Sequence, residues 1–222
     1  MGAVGLIDDR LETAGSGPLP PISRQALQIY LELLAKWNRT INLTSLDVPS
    51  AETASTEAVD RLIVEPVLAA QICEREAIVG ARSIVDLGTG SGSPALPFWA
   101  CLPGSALTMV ESRSRKCAFL REAAREMHAI APETFVKPAV IDARFEDVLR
   151  AHPSIAATAD ILTLRAVRLD APTANLIAAI LRPGGVVVRF VSDTDDAVVA
   201  PLRVVNLWPI GTLGFVQVLV AV

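Results

Sequence analysis

Histidine, cysteine and lysine are all scarce in this chain of 222 residues. The two histidines are His128 and His152, and the three cysteines, Cys73, Cys101 and Cys117, lie far apart. An odd cysteine count without paired spacing outlines neither a disulfide framework nor a zinc cluster, so no metal site is expected. The thiols read as buried side chains and the histidines as surface or interhelical ones. Such cysteine usage fits a reducing compartment, and a cytoplasmic protein is expected. No run of about eighteen uncharged apolar residues is present, which argues against a transmembrane helix. Residues 1–10 lack a basic stretch followed by an apolar core, so no secretory signal is expected. Internal repeats and low-complexity tracts are also missing. The three lysines are Lys36, Lys116 and Lys137; with arginine they make 20 bases against 24 acids, a net charge of −4. A sequence pI near 5.3 argues against a generic nucleic-acid coat protein. Any anion the chain holds must be held mostly by arginine.

What is present points to a packed α/β domain. An apolar fraction of 51% excludes a disordered chain, and the length suits one domain with an extension. Residues 1–22, with Gly15, Gly17, Pro18, Pro20 and Pro21, read as a flexible lead-in with little to pack. Residues 23–80 read as a helical extension. Ser23 is a possible cap, Leu27, Tyr30, Leu31, Leu34 and Trp37 form one apolar stripe, and residues 38–50 are a loop. Ser50 is a second possible cap, for helix running to about residue 72 and broken before Pro66. From residue 81 to 222 the pattern alternates. Strands are expected at 83–87, 106–110, 135–140, 160–164 and 186–191, helices at 95–101, 115–128 and 173–181, a turn at 182–185, and a closing strand pair at 203–207 and 213–220. That alternation predicts a Rossmann-like, mostly parallel sheet with helices on both faces.

Gly88-Thr89-Gly90-Ser91-Gly92 follows the first strand, where a doubly wound sheet opens its ligand crevice. The spacing is neither that of dinucleotide enzymes nor that of phosphate loops. Glu111, about twenty residues on, ends the second strand, where a carboxylate can accept hydrogen bonds from ribose hydroxyls and would repel a 2′-phosphate. The third strand is followed by Asp142-Ala143-Arg144-Phe145-Glu146-Asp147, at a position that commonly borders adenine. Together these three signals describe a nucleoside site, and they resemble the S-adenosylmethionine-dependent methyltransferases. A nicotinamide oxidoreductase fits poorly, because the spacing differs and no catalytic Tyr/Lys or His pair is visible.

A narrower resemblance rests on four motifs in order. Trp37-Asn38-Arg39-Thr40-Ile41-Asn42-Leu43-Thr44, residues 88–97, residues 111–120 (Glu111-Ser112 through Phe119-Leu120) and Arg165-Ala166 are similar to those of the bacterial ribosomal RNA small subunit methyltransferase G family (GidB/RsmG). The resemblance runs from about residue 27 to residue 188. It implies a transferase of rRNA processing that uses S-adenosylmethionine to methylate N7 of a guanine in 16S ribosomal RNA. By that resemblance Gly88, Ser93, Glu111, Phe145, Glu146 and Arg165 bind the cofactor, and the glycine loop and second strand end add Thr89, Gly90, Gly92 and Ser112 as candidates. Arg165 also positions the reactants, and Arg61, Arg113, Arg115, Lys116 and Arg168 are candidates for RNA contact. The partner implied is small-subunit ribosomal RNA or its particle, with no membrane, and a monomer is expected. The sequence departs from the family's usual R-H-x-x-D-S at Arg61, Glu65 and Pro66, has Leu164 where serine is usual, and has Arg189-Phe190 for lysine-glycine.

Each residue also has a structural reading. The glycines can serve as turn residues only, Glu111 as a solvated strand end, and Arg165 as an ion-pair partner of Glu146 or Asp142. Trp37 can be core, with Asn38 and Asn42 holding a turn. The basic residues 113–125 interleave with Glu122 and Glu126, as a solvated helix face or an RNA-facing edge. The departures and the acidic pI leave open the same fold and cofactor with a small-molecule or protein substrate, or a non-catalytic binding module.

Overall fold

Apolar residues recurring at three and four make the first third of the chain helical. The computed structural model describes residues 3–76, 83–192, 197–210 and 214–222, so a boundary at residue 80 and the start of a strand at 213 lie outside the described residues. Helices α1 (Ala3–Thr13), α2 (Pro21–Asn38), α3 (Thr56–Val59) and α4 (Glu65–Arg75) precede the sheet, with a π-helical turn, Asp60–Val64, joining α3 to α4. The flexible lead-in expected over residues 1–22 is corrected by α1. Ile7 and Leu11 are buried one helical turn apart, and Arg10 grips Asp60 with Nε and Nη2 at 2.8 and 2.7 Å. Helix α2 opens at Pro21, whose fixed φ suits a first turn, leaving Ser23 buried inside the helix. Ser55 rather than Ser50 caps α3, accepting from the Ala58 amide at 3.1 Å. The chain does not break before Pro66, because the π turn carries it into α4. Asn38 Oδ1 accepts from the Leu43 and Thr44 amides at 2.9 and 3.0 Å and so closes the turn after α2. Trp37 meets Phe119 edge-on at 6.1 Å.

The sheet comprises β1 (Ser83–Leu87), β2 (Ala106–Glu111), β3 (Ala139–Asp142), β4 (Ala159–Arg165), β5 (Leu181–Val191), β6 (Leu202–Ile210) and β7 (Gly214–Ala221), in the spatial order β3-β2-β1-β4-β5-β7-β6. The first five are parallel; β7 runs antiparallel between β5 and β6. The third strand starts later than expected. Phe135 is fully buried against Trp99, centroids 4.9 Å apart, and its amide closes a turn onto Ala131, so pairing begins only past Pro138. Residues 182–185, expected as a turn, form an irregularity within β5 that is exposed at 182–184 and buried again at Gly185: Leu181 pairs with Ala159 and Val186 with Ile161. Strand β1 has β2 on one side and β4 on the other, so the chain reverses its winding there and leaves a crevice at the carboxyl ends.

Alternation along the strands sends neighbouring side chains to opposite faces. Ile84, Met109, Ile161 and Val188 join the core built with α1–α4, α5 (Ala95–Ala100) and α6 (Ser114–Ala129). Val85, Val110, Leu162 and Val187 join the smaller core under α7 (Val148–Ala151) and α8 (Ala171–Ile180). The three cysteines are buried, and burial pushes the Cys73 and Cys101 thiols up to about 12, so they act as small apolar side chains.

Candidate active site

The glycine loop is held from several directions. The Gly88 and Thr89 amides both donate to the Val110 carbonyl, at 2.9 and 3.1 Å. Glu111 accepts from the Gly90 amide through Oε2 and from the Arg113 amide through Oε1, each at 2.8 Å. From α2, the Tyr30 hydroxyl donates to the Ser91 carbonyl at 3.0 Å, and burial raises its pKa. Gly92 has φ +87, and a Cβ there would stand 2.9 Å from Leu96 Cδ1 and 3.1 Å from Tyr30, so this glycine permits close helix packing.

Beyond the loop lies a first cleft, lined by Gly88, Gly90, Glu111, Ser112, Phe145 and Glu146, with Arg113, Lys116 and Arg144 adding positive charge. The three nucleoside signals of the sequence therefore converge. Thr89, Gly92 and Ser93 are not among its lining residues. Thr89 and Ser93 are buried; Thr89 Oγ1 donates to the Asp86 carbonyl at 3.4 Å, and Ser93 Oγ to the Leu62 carbonyl at 2.9 Å. Glu111 is 6% exposed, which rules out the solvated-strand-end reading. Its oxygens hold the loop and retain lone pairs on the cleft side.

Arg165 sits elsewhere. It lines a second cleft with Arg61, Glu65, Arg189, Phe190 and Gly214, between the carboxyl ends of β4 and β5 and the π turn. Its Nη2 donates to Glu65 Oε2 at 2.6 Å, and its guanidinium lies 4.5 Å from the centre of the Phe190 ring. Nη1 donates to the Arg61 carbonyl and, at 3.4 Å, to Ser93 Oγ. The ion-pair partner is thus Glu65, not Glu146 or Asp142. Burial raises the pKa of Glu65, opposed by the positive charges of Arg165 and Arg61. Burial lowers that of Arg165, opposed by Glu65.

Backbone chemistry explains these contacts. In the π turn the Glu65 amide bonds to the Asp60 carbonyl, and Pro66 has no N–H for either the Leu62 carbonyl four residues back or the Arg61 carbonyl five back. Buried carbonyls need donors. Ser93 supplies one to Leu62 and Arg165 one to Arg61, so the loop after β1 and the end of β4 are tied to the π turn through the gap that Pro66 creates.

The two clefts meet at the loop. An ideal Cβ on Gly88, which lines the first, would stand 3.5 Å from Val167 Cγ2, which lines the second. Behind them, Asp86 is fully buried, accepts from Thr163 Oγ1 at 2.6 Å, and is pushed up to about 6 by burial. Its Oδ1 accepts no bond among the described residues. Sequence reasoning passed over Asp86, although an acid inside the apolar run Ile84-Val85-Asp86-Leu87 was a signal. It also gave Glu65 and Phe190 no site role, although both depart from the family pattern. Glu65, Leu164, Arg189 and Phe190, all departures, line the second cleft together. Arg61, expected as a replaced histidine, is not one of them: with Glu65 and Pro66 on the pattern's Asp-Ser, it falls on the pattern's arginine and Leu62 on its histidine.

Of the RNA candidates, Arg113 and Lys116 border the first cleft and Arg61 the second, while Arg115 and Arg168 are exposed near the strand ends. Farther along α6, Arg121 and Arg125 line a separate groove with Lys137, at the opposite end of β3, so residues 113–125 do not form one edge.

Residues 23–198 match the family described as rRNA small subunit methyltransferase G (GidB). The chain belongs to this family. The Neisseria gonorrhoeae (strain NCCP11945) member, named ribosomal RNA small subunit methyltransferase G, is 31% identical over 180 residues, covering 80% of this chain and 76% of its own. A Stenotrophomonas maltophilia (strain K279a) member of the same name is 33% identical over 167 residues, covering 75% of this chain and 66% of its own. The match therefore spans just under two thirds of the Stenotrophomonas protein. In fold, this G-family chain is similar to a SAM-dependent methyltransferase from Aquifex aeolicus, with TM-score 0.50 and 11% identity over 68% of this chain and 88% of that one. Among the described residues no helix is long and apolar enough to cross a membrane.

Proposed function

We propose that this G-family chain uses S-adenosylmethionine to methylate N7 of a guanine in small-subunit ribosomal RNA. The observation that carries the reading is the meeting of two clefts at Gly88 and Val167, one furnished for a nucleoside and one for a second group. The first fits the cofactor. The Gly90 turn has φ +60 and no side chain, Glu111 offers lone pairs for a ribose diol, and Phe145 with Glu146 flanks the place expected for adenine. Gly88 and Ser112 complete that wall, while Thr89, Gly92 and Ser93 act from behind by fixing the loop. When bound, the cofactor supplies a methyl group already activated by its sulfonium charge. Guanine N7 has an in-plane lone pair and no proton, so the chain needs no general base and its shortage of histidine is no obstacle. Its residues align the reacting groups, an effect worth several kcal/mol. Arg165, braced by Glu65, Ser93 and the Arg61 carbonyl, is the positioning residue where the clefts meet.

Arg61, Arg113, Arg115, Lys116 and Arg168 supply local positive charge around the site, so a net charge of −4 is compatible with a visit to one nucleotide. The reading places a monomer in the cytoplasm, acting on the RNA or its particle. One observation favours a second reading, a different acceptor on the same fold: the family departures gather in the second cleft. Mapping 7-methylguanosine in 16S ribosomal RNA with and without this gene decides between them. A methyl group that disappears with the gene supports the first reading; an unchanged map overturns it.

A further inference from the structure

We propose that Glu65 is the specificity residue for the acceptor base, reading the N1–H and 2-amino edge of guanine; this rests on the function proposed above. The second cleft places a buried carboxylate beside a guanidinium held over an aromatic ring. Only Oε2 of Glu65 is engaged, by Arg165; Oε1 accepts no hydrogen bond among the described residues. Gly214 keeps the approach to that oxygen open, since a Cβ there would stand 3.4 Å from it and 3.3 Å from the Val191 carbonyl. An acceptor-only group at the wall of a pocket calls for a ligand edge made of donors. Guanine presents two adjacent donors, N1–H and the 2-amino group. Adenine presents a lone pair at N1, which a carboxylate repels. The Arg165 donors are turned toward Glu65, Ser93 and the Arg61 carbonyl, so they brace the carboxylate and leave its Oε1 to the ligand. The Arg165 guanidinium, held over the Phe190 ring, gives a planar base a surface to lie against.

The same contact strengthens as the reaction proceeds. The N7 lone pair becomes the new nitrogen–carbon bond, the carbon–sulfur pair stays on sulfur, and the purine takes the positive charge. A cationic purine has a more acidic N1–H, which donates more strongly to a carboxylate. Burial of Glu65 removes the water that would weaken that bond. An interaction stronger in the transition state than in the ground state raises kcat, not affinity alone.

The test is a double-mutant cycle across the contact. Methyl transfer is measured for the wild-type chain and Glu65→Gln on small-subunit RNA carrying guanosine or inosine at the target nucleotide, inosine lacking the 2-amino group. The amide oxygen introduced by Glu65→Gln can still accept from Arg165, so the brace is kept. Expected is a loss of about tenfold in kcat/KM with inosine for the wild type, shrinking to twofold or less in Glu65→Gln, whose kcat falls more than its KM rises. The same pairs are titrated with S-adenosylhomocysteine present, as a binding readout without turnover. Should Glu65→Gln not fold, Glu65→Asp is used, which keeps the charge and retracts it, and an inosine penalty below half the wild-type value is expected. An inosine penalty undiminished in the variants, or the lack of one in the wild type, overturns the proposal. No transfer by the wild type to any small-subunit RNA overturns the proposed function instead.

Discussion

The two clefts lie side by side yet are built in different ways. The first is made by residues that follow strand ends in order: the glycines after β1, Glu111 at the end of β2, and Phe145 and Glu146 after β3. The second is assembled across the chain, with Glu65 and Arg165 a hundred positions apart, Phe190 from β5 and Gly214 from β7. The first holds its shape through backbone amides bound to one carboxylate. The second depends on an ion pair, a cation over an aromatic ring and two carbonyls, of Arg61 and Leu62, that Pro66 has no N–H to serve and that side chains bind. A backbone-held site can stay constant while a side-chain-held neighbour changes, and the departures from the family pattern fall in the latter.

The largest test of this contrast is Arg165→Ala. It leaves Glu65 buried without its counter-charge and strips the Arg61 carbonyl of its donor, so a loss of about 3–5 kcal/mol in urea unfolding is expected. Turnover should fall while S-adenosylmethionine affinity by calorimetry changes only a few-fold. Unchanged affinity together with unchanged turnover would remove Arg165 from the site.

Asp86 lies behind both clefts, and Asp86→Asn tests the cost of its burial. The folded pKa of about 6 exceeds the unfolded value, so the folded state binds more protons between roughly pH 4 and 6. Stability from this group is present below pH 4 and is lost as pH rises through 6. The wild type should therefore lose about 2–3 kcal/mol relative to Asp86→Asn across that window. A difference between the two that does not vary with pH would show that the carboxyl is charged throughout.

Glu111→Ala probes the first cleft alone. Removing an acceptor of two backbone bonds should lower S-adenosylmethionine affinity about 100-fold. Hydrogen bonding at Glu65 should be untouched, so the base preference should survive in whatever activity remains. Arg10→Ala reaches the second cleft from α1. Losing both bonds to Asp60 should cost about 1–2 kcal/mol and raise KM for RNA, with cofactor affinity unchanged. The smallest effect is expected at exposed Arg115. Arg115→Ala should weaken RNA binding a few-fold and lower the salt slope by about one, as a single phosphate contact does.

Much of the first cleft was legible because its signals are local. A glycine loop after a strand, an acid ending the next strand and an aromatic-acidic pair after the third occupy positions that the winding of the sheet brings to one edge. Thr89, Gly92 and Ser93 share that local motif, yet they turn inward to fix the loop. Composition misled at the N-terminus: glycine and proline at 15–21 hid the Ile7/Leu11 stripe, a pair too short to show much periodicity. Proline also misled at 66, where a helix break was expected and the extra residue of a π turn absorbed the missing donor.

The sequence by itself determined the alternating α/β pattern, the crevice after β1 and the residues that furnish the first cleft, because strand ends and tight turns are read within a few positions. Only the tertiary structure decided what faces Arg165. Its partner lies on a helical segment that precedes the sheet, drawn there by buried carbonyls that needed donors and by a carboxylate that needed a counter-charge. Demands of that kind depend on which groups are shut away from water together, and no spacing along the chain records it.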